Sequence, residues 1–156
     1  MAQEIERKFS VISEAWRAAA TDSSLLRQGY LSSNAKATVR VRVMDDAAAV
    51  LTLKGQVEGI TRPEFEYAIP LDDARDLLVM AGPNIVEKRR HLVPHEGLVW
   101  EVDEFLGRHS GLVVAEVELT SEDQAVLLPD WVGAEVTQDD RYSNASLSRS
   151  PATPGR

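Results

Sequence analysis

The chain has 156 residues, 44% hydrophobic and 27% charged, a composition that fits one globular domain with a core large enough to fold unaided. It contains no cysteine, which excludes a disulfide framework and a thiolate metal site and suits a reducing cytoplasm. A net charge of −8 argues against a broad nucleic-acid-binding face, there is no signal-peptide core, and no apolar run approaches the ~18 residues of a membrane span.

The first predicted strand is Glu4-Ile5-Glu6-Arg7-Lys8-Phe9. Alternation puts Glu4, Glu6 and Lys8 on one face and Ile5, Arg7 and Phe9 on the other. Ser13 is the expected N-cap of a short helix through Ala20, which Asp22-Ser23-Ser24 breaks. Leu25 to Ser32 reads as a strand ending in a Ser33-Asn34 turn. Thr38 to Val43 alternates cleanly, with Arg40 and Arg42 sharing a face. After a turn at Asp45-Asp46, Ala49 to Lys54 completes a hairpin that Gly55 ends. Ile60 to Ile69 places Arg62, Glu64 and Glu66 opposite Phe65, Tyr67 and Ile69.

Asp72-Asp73 is the expected cap of a helix with Ala74, Leu77, Leu78 and Ala81 on one face, stopped by Gly82-Pro83. Strands follow at Val86 to Val93, Leu98 to Phe105 and Val113 to Leu119, with a turn at Pro94 to Gly97. Ser121-Glu122-Asp123-Gln124 reads as a capping box opening a helix through Leu128, ended by Pro129. A last helical segment is expected over Asp139 to Leu147. The domain is expected to cover 1–147, followed by a disordered Ser- and Pro-rich tail over 148–156.

The charged strand faces are sorted by sign. Basic pairs stand at Arg40/Arg42 and Lys88/Arg90, and acidic pairs at Glu64/Glu66, Glu101/Asp103 and Glu116/Glu118. Burying such faces is ruinous unless the charges pair or hold a ligand. Pattern alone leaves two arrangements open. One is a closed barrel with a charged lumen, which removes exposed strand edges; the other is an open sheet or sandwich with a solvated face. His91, His95 and His109 lack zinc spacing. Trp16, Trp100 and Trp131 are assigned to helix-to-barrel packing.

The ordered set resembles the CYTH superfamily, the triphosphate tunnel metalloenzymes. It comprises E-x-E-x-K at Glu4, Glu6 and Lys8, R-x-R at Arg40 and Arg42, Lys54, and R-x-E-x-E at Arg62, Glu64 and Glu66. Lys88/Arg90, Glu101/Asp103 and Glu116/Glu118 continue it, and the ending through Arg141, Tyr142 and Asn144 looks like the short bacterial members. Gln28-Gly29-Tyr30-Leu31 resembles the short hydrolase group, without the Tyr-Phe-Asp of the cyclase-like branch. His91 stands where short relatives often have tyrosine.

The resemblance implies a mainly β (α+β) fold, a closed eight-stranded antiparallel β-barrel tunnel with amphipathic helices outside. It implies a hydrolase of short linear polyphosphates, foremost inorganic tripolyphosphate, dependent on Mg²⁺ or Mn²⁺. Lys8, Arg40, Arg42, Lys54, Lys88 and Arg90 would bind phosphate. Glu4, Glu6, Asp103, Glu116 and Glu118 would bind metal, with Glu64 and Glu66 in a secondary role. Lys8 and Tyr30 are the catalytic candidates, and Tyr30 resembles a tyrosine proposed as a base, which needs neighbouring cations to favour its phenolate. The partner is a small linear triphosphate, not nucleic acid or membrane, and a homodimer is compatible. The alternatives are a thiamine or nucleoside triphosphatase, an adenylate cyclase, or a non-catalytic polyphosphate- or nucleotide-binding protein.

Overall fold

Alternating side chains build nine strands: β1 (Gln3–Val11), β2 (Asp22–Ser33), β3 (Thr38–Met44), β4 (Ala48–Lys54), β5 (Thr61–Ile69), β6 (Ile85–His95), β7 (Leu98–Phe105), β8 (Val113–Glu118) and β9 (Val132–Glu135). The computed structural model describes residues 2–34 and 36–155. Met1 of the expected domain and Arg156 of the expected tail lie outside them. Three α-helices are present among the described residues: α1 (Trp16–Ala19), α2 (Leu71–Ala81) and α3 (Asn144–Arg149).

The strands follow the order β5-β4-β3-β2-β6-β7-β8-β1, every pairing is antiparallel, and β1 returns to β5 to close the ring. The closing seam is short, joining Gln3, Glu4 and Ile5 to Pro63, Arg62 and Thr61. Further along the same edge of β1, Phe9 and Val11 pair instead with Glu135 and Val132 of β9, an extra strand that alternation did not announce.

The strand faces that the sequence makes apolar lie outside and much of that surface is roofed, although Phe65 and Tyr67 of β5 stay exposed. Ile5, Phe9, Trp100, Val102, Ala115 and Val117 form one outer core with Trp16 of α1 and with Leu119 and Trp131. Trp100 meets Trp131 edge-on at 5.7 Å, as packing tryptophans should. A second cluster seats Ala74 and Leu78 of α2 on Val41, Val43 and Ala49. Gly29 permits this approach, because a Cβ there would lie 2.8 Å from the Ala81 Cβ. A third cluster lies at the barrel mouth, where Leu147 of α3 packs on the inward-facing Tyr30, Val86, Phe105 and Val114.

Several local expectations give way to tertiary context. Asp22-Ser23-Ser24 begins β2, paired to Leu92, His91 and Arg90, rather than breaking the chain. Ser13 Oγ accepts from the Ala15 N–H at 3.3 Å, but the N-cap of α1 is Ala15. Likewise Pro70 caps α2, while Asp72 and Asp73 sit inside its first turn, where the helix dipole favours them. The β6–β7 turn contracts to Glu96-Gly97, both at positive φ (46° and 79°) as a two-residue hairpin requires. Pro94 is then a strand residue opposite Val99, beyond the point where β6 leaves β2, so its missing N–H interrupts no ladder.

The helix expected from Ser121 does not form. Gln124 Oε1 accepts from Thr120 N–H at 2.7 Å, Ser121 Oγ donates to Asp123, and Glu122 turns aside to accept from Thr61 Oγ1. The chain runs extended from there, because Leu119 and Trp131 are both pinned in one core. The last helical segment is split at Ser143. Asp140–Tyr142 makes a 3-10 turn, and Ser143 Oγ caps α3 by accepting from Ser146 N–H at 3.1 Å. α3 runs to Arg149, and Ser148 is buried. No helix among the described residues is long and apolar enough to cross a membrane.

Candidate active site

The opposite strand faces turn inward and line a cavity of about 600 Å³. Register brings the charges together. Glu6 stands opposite Glu118 and Lys8 opposite Glu116 across β1 and β8, and Glu101 stands opposite Glu116 across β7 and β8. Glu4 faces Arg62 across the seam, and Lys54 faces Glu64. On the far wall Tyr30 faces Arg40 and Gln28 faces Arg42. The cavity is lined by Lys8, Tyr30, Arg40, Arg42, Lys54, Lys88 and Arg90, and by Glu4, Glu6, Glu116 and Glu118.

Asp103 is the exception among the anticipated residues. It is 0% exposed and lies behind the wall, where Oδ2 accepts from Lys88 Nζ at 2.7 Å and from Arg90 Nη2 at 3.0 Å. Its Oδ1 accepts from Arg90 Nε at 2.9 Å. With both oxygens held by cations, it props the basic wall instead of facing the cavity. Burial works against its charge, but Arg90 and Lys88 outweigh that and hold it below the usual carboxylate range.

Other cations are tied to single walls. Lys8 Nζ donates to the Tyr142 carbonyl at 3.2 Å and lies 3.4 Å from Glu116. Lys54 bridges Glu4 at 3.2 Å and Glu64 at 3.4 Å. Arg90 reaches Glu101 at 3.0 Å and Glu116 at 3.4 Å. Arg40 donates to Thr52 Oγ1 at 3.2 Å and stands 3.7 Å from Glu66, while its buried Nε has no protein partner. Arg62 donates to the Gly55 carbonyl. Glu64 and Glu66 are thus partners of lumen cations.

These contacts leave the cavity with two unbalanced poles. At the β1–β8 pole the Glu6 side chain has no hydrogen bond or ion pair among the described residues. Burial, then Glu116 and Glu4, push its pKa up to about 8. Burial also raises Glu4 against the pull of Lys54, and raises Glu118 with help from Glu4. Glu116 is the contrast, since burial opposes its ionisation but Lys8 and Arg90 keep it well below the normal range. At the β2–β3–β6 pole burial, then Arg40 and Arg90, lower Arg42 to about 10. Burial lowers Lys88 to about 7 in spite of Asp103. The first pole holds more carboxylates than its cations pair, and the second holds Arg42 with no ion pair among the described residues.

Among the described residues no three His, Asp or Glu side chains are arranged to hold a metal ion by themselves. The donor set still fits a hard divalent cation that keeps water and shares phosphate oxygens, because Mg²⁺ rarely takes an all-protein cage. Glu4, Glu6, Glu116 and Glu118 are the residues that could hold it. The orphaned Arg40 Nε and the uncompensated Arg42 fit an incoming oxyanion.

Sequence reasoning gave no site role to Gln28, Thr52 or Asn144, although Gln28 and Asn144 stand in segments that carry the resemblance. Gln28 shares the Tyr30 face of β2 by alternation, so that signal was present. Thr52 likewise stands opposite Arg40 and Glu66. Asn144 comes from α3, and no strand pattern points to it. Outside the cavity His91 pairs with Glu104 at 2.6 Å, and His109 Nε2 meets the Leu147 carbonyl at 2.8 Å.

The chain is 45% identical over 152 residues to an inorganic triphosphatase of Acetivibrio thermocellus, covering 97% of this chain and 96% of that protein. It is 37% identical over 156 residues to an inorganic triphosphatase of Nitrosomonas europaea, covering 94% and 97%. A crystal structure of an inorganic triphosphatase, 34% identical, superposes with a TM-score of 0.67 over 96% of this chain and 97% of that one. The CYTH domain model matches residues 2–150, so this chain, with its closed charged barrel, belongs to the CYTH domain family.

Proposed function

We propose that this protein is an inorganic triphosphatase that hydrolyses tripolyphosphate to diphosphate and phosphate with Mg²⁺ or Mn²⁺. The observation that carries the reading is the bipolar cavity, in which surplus carboxylates face surplus cations across a space of small-molecule size. A linear triphosphate bound with a divalent ion answers both imbalances at once. The relatives at 45% and 37% identity, both inorganic triphosphatases, support the same choice.

Arg40, Arg42, Lys54, Lys88 and Arg90 bind and align the phosphates, and Glu4, Glu6, Glu116 and Glu118 hold the ion. Asp103 keeps Lys88 and Arg90 in place. When bound, the ion supplies charge neutralisation at the phosphate oxygens and acidifies water. Positioning and neutralisation supply most of phosphoryl-transfer catalysis. Water adds to a terminal phosphorus, the P–O bond to the bridging oxygen breaks, and diphosphate leaves with that bond's electron pair. Tyr30, on the cavity wall, takes the water's proton in its phenolate form and becomes the phenol, and the Lys8 ammonium stabilises charge beside it.

The cavity offers no base-stacking pair, since Tyr30 is its one aromatic residue among the described lining. That disfavours a thiamine or nucleoside triphosphatase and a cyclase. A pure binding protein would not need the surplus carboxylates. The cysteine-free composition supports a cytoplasmic setting.

The test is phosphate release from tripolyphosphate, thiamine triphosphate and ATP at fixed Mg²⁺ or Mn²⁺. Tripolyphosphate turnover should exceed ATP turnover at least several-fold, and EDTA should abolish it. Equal turnover of ATP, release of cyclic AMP, or full activity in EDTA would overturn the reading.

A further inference from the structure

We propose that Gln28 and Asn144 are positioning residues, a charge-neutral amide relay that fixes Arg42 and Lys88 for phosphate without neutralising Arg42. The proposal rests on the triphosphatase reading and concerns how its basic pole is kept available.

Gln28 is 0% exposed and every polar atom of its side chain is engaged. Its Oε1 accepts from Arg42 Nε at 2.9 Å. Its Nε2 donates to Tyr30 Oη at 2.9 Å and to Asn144 Oδ1 at 3.2 Å. The same Asn144 oxygen accepts from Lys88 Nζ at 2.9 Å. Guanidinium and ammonium groups only donate, so Arg42 dictates which end of Gln28 faces it, and Lys88 dictates the same for Asn144. Polarity therefore runs one way, from the two cations through the amides, and obliges Tyr30 Oη to accept from Gln28.

The choice of amides matters because of what carboxylates do elsewhere in the cavity. Lys8, Lys54, Lys88 and Arg90 each have a carboxylate partner, whereas Arg42 makes no ion pair among the described residues. Arg42 is half-buried, and an arginine withdrawn from water is ordinarily matched by an acid, since leaving its charge unpaired is costly. Glutamine holds the guanidinium in one orientation through a hydrogen bond while leaving its charge for a ligand. Glutamate at 28 has the same shape and would satisfy Arg42 internally, in competition with substrate. Asn144 does the equivalent from α3, giving Lys88 a second acceptor that carries no charge.

A positioning role for neutrality separates two quantities that a merely structural role would move together. In Gln28→Glu the metal-free protein should melt no lower than wild type, while KM for tripolyphosphate should rise at least tenfold. Asn144→Asp, at the part-exposed α3 end of the relay, should shift KM in the same direction and serves if the first variant does not fold. A KM within threefold of wild type in the folded variant, or a raised KM accompanied by a lower melting temperature, would overturn the relay. Wild-type protein that fails to turn over tripolyphosphate would instead remove the triphosphatase reading on which the relay depends.

Discussion

Glu6 is half-buried in the tunnel wall with no side-chain hydrogen bond or ion pair among the described residues, and burial with Glu116 and Glu4 disfavours its charge more than Lys8 and Lys54 favour it. If the proposed divalent ion compensates that charge, Mg²⁺ or Mn²⁺ should raise the melting temperature of wild-type protein. Glu6→Gln preserves shape but removes the anionic ligand. That variant should lose most of the ion-induced rise and at least a hundredfold in turnover; an unchanged ion-induced shift would dissociate Glu6 from the metal. Tyr30 invites a different measurement, because it packs on Val86 and Leu147 and also faces the cavity. As a proton acceptor it should act on turnover rather than binding, so Tyr30→Phe should lower kcat at least tenfold with little change in KM. A kcat equal to that of wild type would reduce Tyr30 to a packing residue.

At the scale of elements, the C-terminal segment matters more than its lack of strand pattern suggests. Val136 N–H donates to the Lys8 carbonyl at 2.8 Å, Gln138 Nε2 reaches the Gly59 carbonyl at 3.3 Å, and Asn144 enters the relay. Arg108 and His109 clamp the far end by donating to the Leu147 carbonyl, and Arg108 also reaches that of Ser148. Leu147 itself is 0% exposed against four lumen-facing side chains. Leu147→Ala should cost about 2–5 kcal/mol in chemical denaturation, the range for emptying a leucine site in a core. It should also lower activity, because Asn144 rides on the same short helix. A cost below 1 kcal/mol would mean that α3 can collapse into the gap.

At the scale of the whole molecule, alternation sorted the strand faces but left barrel and open sheet both possible, and the resemblance to the CYTH superfamily singled out the barrel. Two-residue periodicity assigns Glu4, Glu6, Lys8, Arg40, Arg42, Lys88 and Arg90 to one face, and closure turns that face inward. Which charge meets which is a matter of register and barrel stagger, absent from any single strand. Asp103 shows this, since its parity is right but its depth places it behind Lys88 and Arg90. The Ser121 segment shows the converse. Its capping-box pattern is locally sound, yet Leu119 and Trp131 are anchored too firmly for the chain between them to coil.

The way β1 is held has a consequence for how the protein comes into being. Its partners are Arg62 opposite Glu4, Glu118 opposite Glu6 and Glu135 opposite Phe9, so the first strand borders residues from near the other end of the chain. On the ribosome, at roughly 5–20 residues per second, β1 waits several seconds before β8 and β9 exist to receive it. Pairings so distant in sequence are slow to form even in a released chain. The ring can close only after translation is nearly complete, and the acidic and basic halves of the cavity meet in that last event. A nascent chain stalled before residue 113 therefore carries every cation assigned here to phosphate but lacks Glu116 and Glu118, so the site stays unfinished until the last third of the chain has emerged.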